Sequence, residues 1–178
     1  SDVIRKVEEH GGVAWLAPIT EWVSYINYMG KKKALRLKTY SNLFTILVTE
    51  YFQRKDEHEM ERLFEEHISY GKEPSVKSIL KKASPYIHES FEGEAILTVG
   101  KAIDFIDKGV SGIINAMPFT CMPGTVSSAI MRLIQKKYNI PVLNIAFDGQ
   151  GLSNINTRIE AFMYQVKEHF EEKRAKKR

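Results

Sequence analysis

The chain has 178 residues, 43% of them hydrophobic, a formal charge of +4 and a single cysteine. That length builds one domain with a real core, and the lone Cys121 excludes an intramolecular disulfide framework. No apolar run reaches about 18 residues and no basic-then-apolar leader opens the chain, so neither membrane insertion nor export is expected and a cytoplasmic setting is.

Positive charge gathers in "KKKALRLK" (31–38) and "EEKRAKKR" (171–178). Both lack interleaved aromatics or a recognition module and read as solvated surface, so nucleic acid is not an expected partner. "VIRKVEEH" (3–10) puts Val3, Ile4 and Val7 on one helical face, and Gly11-Gly12 supply the stop. "VAWLAPI" (13–19) then reads as a buried strand. A helix that feeds a first strand should itself follow one in an alternating α/β chain, which suggests a piece of a larger protein.

From Thr20 to about Ile68 the pattern is helical, with apolar positions at Leu43, Phe44, Leu47, Tyr51 and Phe52 and again at Met60, Leu63, Phe64 and Ile68. The charged "RKDEHE" (54–59) reads as a bend or break. Such an arm exceeds what a crossover needs and suits a lobe or a homodimer contact. "PSVKSILKKASPYI" (74–87) is a short helix bounded by Pro74 and Pro85.

The second half alternates. A helix over 92–108 turns Ala95, Ile96, Val99, Ile103 and Ile106 inward, and "GIINAMP" (112–118) is a strand. A helix over 125–138 carries Val126, Ile130, Leu133 and Ile134, and "PVLNIAF" (141–147) is the next strand. The last helix, 153–172, turns Ile155, Ile159, Phe162, Met163, Val166 and Phe170 inward. The fold class is α/β: an open parallel sheet of three or four strands flanked by helices, with an extra helical arm over about 20–87.

Ligands of such sheets gather where strands end and loops enter the next helices. "APITEW" (17–22), "PFTCMPGT" (118–125) and "FDGQGLSN" (147–154) bring Glu21, Trp22, Thr120, Cys121, Thr125, Asp148, Gln150 and Asn154 to a common rim. Cys121 precedes a helix N-terminus, which favours negative charge and suits a thiolate ligand or nucleophile; the plain alternative is a small buried hydrophobe. A cysteine hydrolase needs a histidine base, and His88, in the loop "YIHESFEGEA", is the candidate. One cysteine among scattered histidines fails the spacing of a zinc centre. Asp148 serves a metal, a hydroxyl or an Asx-type turn. Arg158 anchors a carboxylate or phosphate, or else pairs with Glu160 or a loop.

"GEAILTVGKAIDFIDKGVSGIINAMPFTCMPGTVSSAI" and "IPVLNIAFDGQGLSNINTRIEAFMYQ" together resemble the C-terminal part of the large proteins related to 2-hydroxyacyl-CoA dehydratase activators. They are similar, more distantly, to the second lobe of the dehydratase subunits. "VIRKVEEHGGVAWLAPITEWVSYIN" fits the start of the same region, so the resemblance covers nearly the whole chain and is strongest over 88–166. It implies an iron–sulfur cluster held by three cysteines, the last in a turn like "FTCMPG", where Cys121 stands. It also matches Asp148 to an acidic strand end and Thr157–Phe162 to a "TRIEAF" helix. An ATP-driven activator passes an electron to that cluster for radical-type dehydration of an acyl-CoA.

The other cysteine ligands and the activator's phosphate-binding loop are absent from these residues. The cluster therefore needs ligands from upstream domains or a dehydratase-like subunit, and the chain alone is expected to hold none and to catalyse nothing. Glu21, Thr120, Asp148 and Gln150 would line the rim toward cluster or acyl-CoA. The alternative function is a non-catalytic interaction or oligomerisation module without a cluster.

Overall fold

The computed structural model describes residues 2–64, 74–91, 93–149 and 153–176. Its contacts divide the chain into two compact units, one of residues 15–78 and one of residues 1–14 with 79–178. No helix among the described residues is long and apolar enough to cross a membrane.

The helical unit is built on α2 (Ile19–Arg36) and α3 (Tyr40–Phe64). These run antiparallel, with Ile46 packed over Gly30, Lys31 paired to Glu50 at 2.6 Å and Asn27 bonded to Gln53 at 2.6 Å. The contacts on α3 therefore follow Ile46, Glu50 and Gln53, a spacing of four and three that keeps one side of a helix against its neighbour. The expected break at 54–59 does not occur. That stretch holds neither glycine nor proline, its Arg54 pairs back to Glu50 at 2.9 Å, and the helix runs through it. The chain turns instead at Lys38, whose φ of 56° is left-handed. The apolar positions expected at Met60, Leu63, Phe64 and Ile68 lie outside the described side chains.

Val13–Pro18 is irregular chain rather than a strand. Val13 is 83% exposed, and Pro18 is already the N-cap of α2. A short apolar run has the same look whether it forms a strand or an exposed loop, and here the proline decides.

The larger unit is helices around a small parallel sheet, an α/β arrangement. The sheet, among the described residues, is β1 (Ile113–Pro118) and β2 (Val142–Phe147), parallel and in register from Ile113↔Val142 to Pro118↔Phe147. The crossover is α6 (Met122–Tyr138), and α7 (Ser153–Lys176) follows β2. α1 (Asp2–Glu9) and α7 cover one face, burying Val7, Ile145, Ile159, Phe162 and Met163 together. Gly12 lets the chain leave α1 under Met163, since a Cβ there would lie 2.8 Å from its Cε.

α6 lies on the other face through Gly124, Ser127, Met131 and Ile134. Leu133, expected inward, is 57% exposed because this buried seam runs one residue away from it. Phe170, also expected inward, is exposed for a reason of length. A 24-residue helix spans about 36 Å and a six-residue strand about 20 Å, so the last turns of α7 pass beyond the sheet.

α5 (Glu94–Asp107) packs against α6 and against the end of α4 (Val76–Ala83). It is buried almost all round, including Ala95, Ile96, Val99, Ala102 and Ile103. At Gly100 its backbone meets that of α4 so closely that a Cβ would sit 2.3 Å from the Ile79 carbonyl oxygen.

Candidate functional site

β1 ends with one more ladder bond, Phe119 N–H to the Phe147 carbonyl at 2.8 Å, and then reverses. The Cys121 N–H donates back to the Pro118 carbonyl at 3.2 Å, and Thr120, the third residue of the turn, takes φ 63°. Its hydroxyl donates to the Phe119 carbonyl at 2.6 Å. The turn delivers Cys121 as the N-cap of α6, with Pro123 in the first helical turn. The helix starts at Met122, ahead of the Thr125 expected from the apolar spacing, because Pro123 suits the first helical turn.

Cys121 is half-buried, at the positive end of α6, and its thiol makes no capping hydrogen bond. Its carbonyl accepts both the Thr125 N–H (2.9 Å) and the Thr125 hydroxyl (3.0 Å), so Thr125 holds the cap. Gly124 gives the helix start room to lie on β1, since a Cβ there would meet Met117 Sδ at 2.6 Å. The same carboxyl end of the sheet exposes Phe119, Met122 and Phe147.

Beneath this end lies a polar pair that the sequence analysis missed. Asn115 and Asn144 stand opposite each other in the register, Asn115 Nδ2 donating to Asn144 Oδ1 at 2.9 Å and to Ser128 Oγ at 3.1 Å. The signal was available: "IINAMP" and "VLNIAF" carry an asparagine at the same third place. Asn115 is 6% exposed, so Asn115→Ala strands the Asn144 Oδ1 and is expected to lower unfolding free energy by about 1–2 kcal/mol, read from urea unfolding.

The remaining candidates divide. Asp148 directly follows β2 and is exposed, and Gly149 after it takes φ 80°. Arg158, on α7, donates to the Asn144 backbone carbonyl at 2.6 Å and so braces β2. His88 Nδ1 is bonded to Ser90 Oγ at 2.8 Å and makes no hydrogen bond to Cys121, which leaves the hydrolase arrangement without its base contact. Glu21 belongs to the helical unit, buried in the first turn of α2. Gln150 lies outside the described residues.

A shallow depression of about 220 Å³ opens at the amino end of β2, among Asn139, Pro141, Glu168, His169 and Glu172. Burial and the Lys173 charge push the His169 imidazole below its ordinary pKa, and its Nε2 has no hydrogen-bond partner among the described residues. Nothing in the sequence distinguished this histidine, because its burial comes from packing against the α6–β2 connection.

The strand–helix–strand–helix order with Cys121 at the first strand's exit defines a parallel βαβα unit with a thiol at its ligand-gathering end. No protein-family model, curated protein or solved structure matches the chain.

Proposed function

We propose that this chain is the C-terminal lobe of a 2-hydroxyacyl-CoA dehydratase or activator-related protein, working in the cytoplasm and lending Cys121 to an iron–sulfur cluster. The observation that supports it is the placement of the only thiol: half-buried, uncommitted to a cap hydrogen bond, and at a helix N-terminus beyond the carboxyl end of a parallel sheet. Among the described residues no three His, Cys, Asp or Glu side chains converge on a common point. The chain fits one corner of such a site and not the whole, so the other ligands come from outside it. When bound, the cluster supplies low-potential electron transfer toward an acyl-CoA. Cys121 supplies a thiolate, Thr125 fixes its backbone, and Phe119, Met122 and Phe147 form an apolar rim that a covering lobe would keep dry.

The sheet of three or four strands belongs to this proposal. Ile113 N–H donates to the Pro141 carbonyl and Phe119 N–H to that of Phe147, so odd-numbered residues of β1 bond inward and even-numbered ones point away. Along that outer edge Ile114 and Ala116 turn their backbone groups away from β2. A further strand pairs there, since Arg158 occupies the Asn144 carbonyl on the opposite edge.

Anaerobic iron and sulfide reconstitution of the complete protein that carries this chain tests the assignment. Cys121→Ser is expected to lose most of the visible absorption and bound iron while keeping the far-ultraviolet helix signal. Retention of full iron content in the variant would remove Cys121 from the ligand set.

A further inference from the structure

α3 carries large apolar side chains on a side that α2 does not cover. Tyr40, Phe44 and Tyr51 are each 68–69% exposed, Phe52 59%, Leu47 48% and Val48 40%. With about 200 Å² for a whole aromatic side chain, these residues expose about 650 Å² per copy. Monomeric proteins rarely leave so large a contiguous apolar patch in water, and two such patches offer at most about 1,300 Å², at the lower end of a stable interface.

The order of residues along the stripe identifies the occupant. Tyr40, Phe44, Leu47, Val48, Tyr51 and Lys55 are separated by 4, 3, 1, 3 and 4 positions, a spacing that reads the same from either end. An antiparallel helix pair around a two-fold axis requires that property, because each residue must meet its mirror position in the other copy. With the axis between Leu47 and Val48, Phe44 meets the second copy's Tyr51 ring to ring. Tyr40 meets the second copy's exposed Lys55, a cation over an aromatic face.

We propose that α3 is a homodimerisation helix whose occupant is α3 of a second copy, antiparallel and centred on Leu47 and Val48. The pairing does not depend on any cluster at Cys121, so it is testable on the 178-residue chain.

Sedimentation equilibrium at about 100 μM, above the micromolar end of affinities for interfaces of this size, is expected to give the mass of two chains. Leu47→Arg sets two like charges beside each other at the axis and is expected to weaken association more than tenfold with unchanged helical circular dichroism. A monomeric parent chain, or a dimer indifferent to Leu47→Arg, overturns the proposal.

Orientation is read by oxidative cross-linking in a Cys121→Ser background. Leu47→Cys is expected to link to its copy. Tyr40→Cys is not, because two such positions lie about 22 Å apart along antiparallel helices. Equal linking of both overturns the antiparallel arrangement.

Discussion

Gly100→Ala is expected to lower the unfolding free energy by about 2–3 kcal/mol, although alanine is the better helix former by up to about 1 kcal/mol. The sign is decided by what the added methyl meets. Its nearest neighbours are the Ile79 carbonyl oxygen at 2.3 Å, Ile79 Cγ2 at 2.7 Å and the Ile79 carbonyl carbon at 3.0 Å. Two of these three are backbone, so no rotamer change makes room and α4 must move off α5. Ile79 is itself fully buried, so the displacement would open a gap in close-packed core. Urea unfolding should show a lower midpoint, and Gly100→Val a larger drop than Gly100→Ala. An unchanged midpoint for Gly100→Ala would mean that the two helices are not in backbone contact.

The second large effect is expected at Asp104, a carboxylate on α5 with only 5% of its side chain exposed. Lys82 Nζ reaches its Oδ1 at 2.9 Å and Asp107 Oδ2 at 2.6 Å, while Lys108 Nζ lies 3.1 Å from its Oδ2. The Lys108 contact is off the line of a good hydrogen bond, so Lys82 carries the pairing. Burial alone would raise the Asp104 pKa, yet the Lys82 hydrogen bond and the charges of Lys108 and Lys82 outweigh it and hold the carboxyl below its ordinary value. Asp104→Ala leaves two lysines short of an anion and is expected to cost about 3 kcal/mol.

The pH dependence follows from the direction. A carboxyl depressed on folding contributes stability that is complete above its unfolded pKa of about 4 and is lost as pH falls through the folded value. Lys82 is displaced upward: burial lowers its pKa, but Asp107 and Asp104 more than reverse that, so its contribution holds below its unfolded pKa and fades as pH rises past about 10.5. Thermal melts between pH 2 and 7 should therefore fall more steeply for the parent chain than for Asp104→Ala. Parallel curves would count against the ion pair.

Much of the larger unit is legible in the residues because each element there is bracketed by its own punctuation. Gly112 and Pro118 enclose β1, Pro141 and the Asp148-Gly149 turn enclose β2, and the apolar runs between them are too short for helices. The loop holding Cys121 follows from that alternation, and so does its place at the sheet's carboxyl end. Elsewhere the local signal and the tertiary outcome part company. The left-handed turn at Lys38 uses a lysine where a glycine would have announced it, while "RKDEHE" offers charge without any breaker. Val13–Ile19 has the composition of a strand and lacks a neighbour to pair with among the described residues. The exposure of Phe170 depends on where the sheet stops, a quantity set by two strands together and invisible in the helix alone.

The facing asparagines are also expected to penalise a wrong strand alignment. Sliding β2 by one residue would set Asn115 opposite Leu143 or Ile145 and turn Ile145, now fully buried between β2 and α7, toward α6. The Asn144 amide would be carried to the apolar α7 face and left without Asn115, at a cost of about 1–3 kcal/mol beyond the misplaced side chains. A pair of six-residue parallel strands has few bonds with which to reject a wrong alignment, and one matched polar pair makes the correct pairing recognisable from a single contact.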